Sequence, residues 1–193
     1  MKRRIIISLF CMVFILFASA GCSKEIPNRL NWEVEDFTYT DQDGEKFSLA
    51  HLRGKVWVAD FIFTNCSTVC PPMTANMAKL KELVEKEKLD VHFVSFSVDP
   101  EVDTPDRLKE YGKKFTDDLS NWTFLTGYSQ EEIIRMVRNS FKAIVEKEEG
   151  NNQVGHATYF YLVDQEGKIV RYYKGEKDVP YEEIVEHIKI IQE

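Results

Sequence analysis

The sequence predicts an α/β domain whose sheet mixes parallel and antiparallel strands, and three observations carry that expectation. Two apolar runs of strand length, residues 56–63 and 91–98, have the continuous hydrophobicity of strands buried on both faces. Stretches with apolar residues at helical spacing separate and follow them. Turn signals near both ends, Asp43-Gly44 and Asp164-Gln165-Glu166-Gly167, mark hairpins.

In chain order, Phe37-Thr38-Tyr39 and Lys46-Phe47-Ser48 flank the first turn as short strands. The run 56–63 follows as a central strand and delivers Cys66 and Cys70 at its C-terminal end. Pro71 biases Cys70 away from the helical region, so a helix is expected near Pro72, with Met73, Met77, Leu80 and Val84 on its inner face. The run 91–98 is a second strand, halted by Asp99-Pro100. Thr104-Pro105 opens a helix with Leu108, Tyr111 and Phe115 on one side. Residues 122–125 suit a short strand. Ser129 and Glu132 have capping-box spacing for a helix carrying Ile133, Val137 and Phe141. A polar stretch, 146–155, reads as a loop leading to His156. Strands at 158–163 and 169–173 form the second hairpin, and Pro180 opens a last helix with Ile184, Ile188 and Ile191 inward. Parallel strands need helical crossovers, and a terminal hairpin adds antiparallel edges. A thioredoxin-like α/β sandwich with an added N-terminal β-hairpin and insertions satisfies this order, with its reactive group where strand 56–63 meets its helix.

The 193-residue chain suits one such domain preceded by a processed segment. Lys2, Arg3 and Arg4 precede an uncharged run to Ala20, giving a signal peptide over residues 1–21. Ser19-Ala20-Gly21-Cys22 resembles a lipoprotein cleavage site, although that motif prefers Leu where Ser19 stands. Cys22 would then be acylated, residues 22–33 would form a lipid-anchored tether, and 34–193 the domain. The domain would work at the extracytoplasmic face of a bacterial membrane. Removing the signal moves the formal charge from −7 to −10. So acidic a body disfavours nucleic acid as a partner.

Of four cysteines, Cys11 lies in the signal and Cys22 at the lipid site, leaving Cys66 and Cys70 for the fold. Such a pair serves a disulfide, a redox dithiol or a soft metal. A structural disulfide would close only a tiny loop and stabilise little. At a helix N-terminus both would be biased toward thiolate, the ligand that selects copper(I), zinc or iron–sulfur clusters. His156, read alone, fits a hydrogen-bonded surface residue as well as a ligand. Asp99 either caps the turn at Pro100 or is a carboxylate that orients His156 or assists docking. Asp103 has the same choice, and Thr104-Pro105 favours helix initiation. His51, His92 and His187 are weaker ligand candidates, and Met73 and Met77 read as core.

The segment Phe63-Thr64-Asn65-Cys66-Ser67-Thr68-Val69-Cys70-Pro71, with Ser97-Val98-Asp99-Pro100, Asp103-Thr104-Pro105 and His156 before Tyr159-Phe160-Tyr161-Leu162-Val163-Asp164, resembles the Sco (synthesis of cytochrome oxidase) family over residues 33–193. The resemblance implies that Cys66, Cys70 and His156 bind one copper ion, Cu(I) or Cu(II), per chain. It also implies assembly of the copper A centre in cytochrome c oxidase subunit II as the task, by a non-enzymatic metallochaperone. Two thiolates and an imidazole suit this, holding copper with an incomplete shell that a partner's ligand can enter.

Two other chemistries compete. A dedicated reductase of the subunit II cysteines, or a redox sensor, would use a reversible Cys66–Cys70 disulfide and an external thiol–disulfide reductant. Against general thiol–disulfide catalysis stand the three-residue spacing and the absence of proline in Gly155-His156-Ala157-Thr158. A peroxiredoxin-like peroxidase needs threonine three positions before the cysteine, whereas Thr64 stands two before Cys66.

Overall fold

The structure, a computed structural model, describes residues 24–147 and 153–193. The predicted signal peptide, Ser19, Cys22 and the middle of the polar stretch before His156 lie outside the described residues.

Among the described residues, ten strands and four α-helices follow one another along the chain. They are β1 (Trp32–Glu33), β2 (Thr38–Thr40), β3 (Lys46–Ser48), β4 (Val56–Ile62), α1 (Cys70–Lys86), β5 (Val91–Ser97), α2 (Pro105–Gly112), β6 (Trp122–Leu125), α3 (Gln130–Phe141), β7 (Val145–Lys147), β8 (Val154–His156), β9 (Tyr159–Val163), β10 (Lys168–Lys174) and α4 (Tyr181–Gln192), with a short 3-10 turn at Leu49–Leu52. Six strands form one sheet in the order β1-β10-β9-β4-β5-β6, and β2–β3 and β7–β8 are separate two-stranded ribbons. β4, β5 and β6 run parallel, whereas β9 runs antiparallel to β4 and β10 to β9. This is the mixed sheet the apolar runs and hairpin signals predicted.

Every residue of β4 is buried, which explains the absence of alternation in its sequence. Side chains still alternate between faces. Phe61 and Phe96, paired across β4 and β5, meet Phe141 of α3 on one side. Asp60 and Ser95, the preceding pair, point to the other. Trp57, Phe61, Phe93, Phe96, Trp122 and Phe160 are each fully buried, a contribution of about 1.5–3 kcal/mol apiece. This rigid centre ends at Phe63, where the cysteine loop begins.

Three local expectations are corrected. Helix α1 starts at Cys70 rather than near Pro72. Prolines at its first turn lack N–H groups that would have had no intrahelical partner, so Pro71 and Pro72 fit inside it, and Val69, already in the right-handed helical region, leads in. The polar stretch before His156 is no plain loop, since its ends pair as β7 and β8, with Val145 opposite His156 and Lys147 opposite Val154. Within the stretch read as a tether, Ile26 is buried and Trp32–Glu33 pairs with β10 as an edge strand. A two-residue strand leaves too little alternation to read.

Candidate metal centre

The cysteine loop is held from beneath by a buried carboxylate. Asp103 accepts the Thr64 N–H at 3.2 Å, the Thr64 hydroxyl at 2.5 Å and the Ser97 hydroxyl at 2.6 Å. Helix initiation belongs instead to Thr104, whose hydroxyl oxygen accepts the Arg107 N–H. Asp103 is turned inward, and burial raises its pKa despite these bonds. Arg107 also donates to the Asn65 side chain at 2.7 Å, so the start of α2 grips the loop at two successive residues.

Cys66 sits in a turn closed by its N–H to the Phe63 carbonyl, and its sulfur accepts the Cys70 N–H at 3.3 Å. The sulfur thus caps the first turn of α1. Cys70 is fully buried, and its Sγ lies 3.3 Å from Nε2 of His156, 86 residues later in the chain. His156 Nδ1 lies 3.0 Å from the Ala157 carbonyl oxygen, which only accepts, so Nδ1 carries a proton. The imidazole meets Phe63 edge to face at 5.9 Å. Both cysteines are free.

The two sulfurs are electrostatically unlike. Hydrogen bonding from the Cys70 side chain, with help from His156 and the Cys70 N–H, holds Cys66 well below the ordinary thiol range. The same Cys66 partner and burial push Cys70 up, so Cys70 keeps its proton.

Among the described residues, no group of three or more His, Cys, Asp or Glu side chains is drawn together closely enough to hold a metal ion. The donor set nevertheless fits a soft ion. Donors about 2.0–2.3 Å from a shared ion stand about 3.3–3.6 Å apart, which matches the Cys70–His156 separation.

The Asp99 carboxylate is turned to Lys147 rather than to His156. It receives Lys147 of β7 at 2.7 Å, and Glu101 receives the same ammonium at 2.8 Å. The turn at Pro100 is closed by the Asp99 backbone carbonyl, which accepts the Val102 and Asp103 N–H groups. Asp60, six residues before Cys66, is wholly buried. Ser95 donates to one of its oxygens at 2.6 Å, the other has no hydrogen-bond partner, and burial raises its pKa to about 7.

The remaining histidines lie elsewhere. His51 accepts the Ser48 N–H at 3.0 Å and stacks on Phe47, His92 pairs with Thr123, and His187 pairs with Tyr173. Met73 and Met77 are fully buried core residues. The sequence reading passed over Thr64 and Lys147. A threonine two residues before a cysteine and a lysine in a polar stretch carry no pattern that marks them, and at Asp103 the favoured role, helix initiation, gives way to holding Thr64 and Ser97.

A model of the SCO1/SenC family matches residues 28–193. The fold is similar to that of a SCO1/SenC family lipoprotein from Bacillus anthracis, at 54% identity and a TM-score of 0.86, covering 88% of this chain and 100% of that one. It is similar, at 49% identity and a TM-score of 0.81 over 87% of this chain and 98% of the other, to BsSco, described as having a disulfide switch and as a member of the Sco family of cytochrome c oxidase assembly proteins. Yeast Sco1 with copper bound aligns at 27% identity and a TM-score of 0.68, covering 82% and 89% of the two chains.

Proposed function

The chain belongs to the SCO1/SenC family of cytochrome c oxidase assembly proteins, and we propose that it carries one copper ion on Cys66, Cys70 and His156 toward the copper A centre of oxidase subunit II. The observation that supports this most directly is the approach of His156 Nε2 to Cys70 Sγ at 3.3 Å, made by elements distant in sequence. Cys66 is ready as a thiolate, and Cys70 gives up a proton when the ion enters, so loading releases protons. Two thiolates neutralise copper(II) and leave one net negative charge around copper(I). A three-donor shell leaves room for a subunit II ligand to take the ion by exchange.

The setting is the extracytoplasmic face of the membrane, with Cys22 acylated and the domain tethered beside its partner. A relative of this fold is a lipoprotein. Among the described residues no helix is long and apolar enough to cross a membrane.

A second reading is favoured by the asymmetry of the sulfurs. The Cys66 thiolate attacks a disulfide of subunit II and displaces one partner sulfur as thiolate. Cys70, after losing its proton, attacks Cys66 Sγ and releases the second partner sulfur. The partner gains two electrons, this chain is left with a Cys66–Cys70 disulfide, and an external dithiol must reset it.

Anaerobic copper titration of the reduced full chain in detergent, followed by thiolate-to-copper charge transfer, separates the two. The copper reading expects one ion per chain, lost in Cys66→Ser and Cys70→Ser and made labile in His156→Ala. Absence of tight copper, with ready reduction of a subunit II disulfide, would overturn it in favour of the reductase.

A further inference from the structure

His156 reaches the cysteines from a ribbon that belongs to neither the main sheet nor a helix. The β7–β8 ribbon forms its own two-stranded sheet, so no strand ladder fixes its position over the cysteine loop. Apart from the imidazole itself, buried side chains and an ion pair help to hold it. Val145 and Val154 are buried, and Lys147, paired in register with Val154, reaches across to the turn after β5. There its ammonium lies 2.7 Å from Asp99 Oδ1 and 2.8 Å from Glu101 Oε2. The Asp99 side chain is 3% exposed and that of Lys147 20%. Such a pair is little screened by salt, and removing Lys147 leaves the nearly buried Asp99 charge without its counter-ion.

The geometry at the other end of the turn gives the pair its leverage. Asp103, four residues after Asp99, holds Thr64 and thereby the cysteine loop. The Asp103 N–H bonds back to the Asp99 carbonyl at 2.9 Å. One turn therefore holds the cysteines through Asp103 and the histidine ribbon through Asp99. A displacement of either anchor changes the Cys70–His156 separation, since this turn is bonded to both the cysteine loop and the ribbon.

We infer that the Lys147–Asp99 ion pair is a latch that positions the β7–β8 ribbon, setting His156 against Cys70 and governing how long the third donor stays engaged. Lys147 and Asp99 are positioning residues, bonded to each other rather than to sulfur or imidazole. The consequence for copper rests on the reading of His156 as its ligand, whereas the latch is testable without metal.

The test compares Lys147→Met, Lys147→Arg, Asp99→Asn and the Lys147→Met/Asp99→Asn double variant as full chains in detergent. In the reduced, metal-free protein, amide hydrogen exchange at Val154, Gly155 and His156 is expected to accelerate about tenfold in Lys147→Met and in Asp99→Asn. The double variant should add little, because the two act as one unit, and Lys147→Arg should restore protection. With copper loaded, release to a chelator should accelerate to a similar extent, and Lys147→Met should add nothing in a His156→Ala background. Parental exchange in both single variants would overturn the latch, as would equal acceleration of release by Lys147→Met with and without His156. Accelerated exchange in a protein whose parent holds no copper would uphold the latch and remove only the copper reading.

Discussion

The chemistry of the site turns on a proton that two sulfurs do not share evenly. Cys66 accepts the first N–H of α1 and bonding from Cys70 and His156, so its charged form is favoured, whereas Cys70 is fully buried beside that charge and stays protonated. Alkylation of the reduced, copper-free chain should therefore fall on Cys66 with a rate that hardly varies between pH 5 and 8, because its thiolate is formed throughout. Cys70 should resist. Mass spectrometry of the labelled peptide reads this directly, and a Cys66 rate rising tenfold per pH unit would refute the asymmetry. At this scale much was legible in advance. The sequence suggested thiolate at a helix mouth, and resemblance named His156. It could not apportion the proton, because that depends on which sulfur receives the helix N–H and which lies deeper. Nor could it place Asp99, whose charge partner lies 48 residues away in a stretch with no periodicity.

Strong patterns made elements legible, and long-range register hid the others. The runs at β4 and β5, the capping box of α3 and the Asp-to-Gly turn of β9–β10 were all evident, since each is encoded within about ten residues. The β7–β8 ribbon and β1 were missed because three-residue and two-residue strands show no alternation, and their pairing is set by tertiary contact. The start of α1 was misplaced by two residues, since the rule about residues preceding proline weakens at a helix's first turn. The turn that joins β5 to α2 has the greatest reach. In Asp103→Ala, the Thr64 N–H and the Thr64 and Ser97 hydroxyls lose their acceptor together. The expected cost is about 2–4 kcal/mol of stability, from unsatisfied groups in a buried setting. Denaturant unfolding of the reduced protein measures it, and a loss under about 0.5 kcal/mol would show that the loop is held by other means. Asp103→Asn should cost less, keeping one acceptor oxygen.

For the molecule as a whole, folding places an ionisable group where water cannot follow. Asp60 lies at the centre of the sheet under full burial, with one oxygen bonded to Ser95 and the other unpartnered. Its folded pKa is pushed up to about 7 by that burial, against an ordinary value of 3.8. Between those limits the folded chain keeps a proton that the unfolded chain has released. The contribution of Asp60 to folding stability must then decline as pH rises from about 4 to about 7. The full contribution exists below pH 4 and is gone above pH 7, and its size is on the order of 4 kcal/mol. In Asp60→Asn the group no longer titrates. The stability difference between parent and variant, from urea unfolding at half-unit steps between pH 4 and 8, should therefore shift steadily against the parent and level off near pH 7. Subtracting one curve from the other cancels the titration of surface groups such as Glu132 and Glu186, whose environments the substitution leaves intact. A flat difference curve would mean that Asp60 ionises in the folded protein as readily as in the unfolded one, contrary to its position in the core.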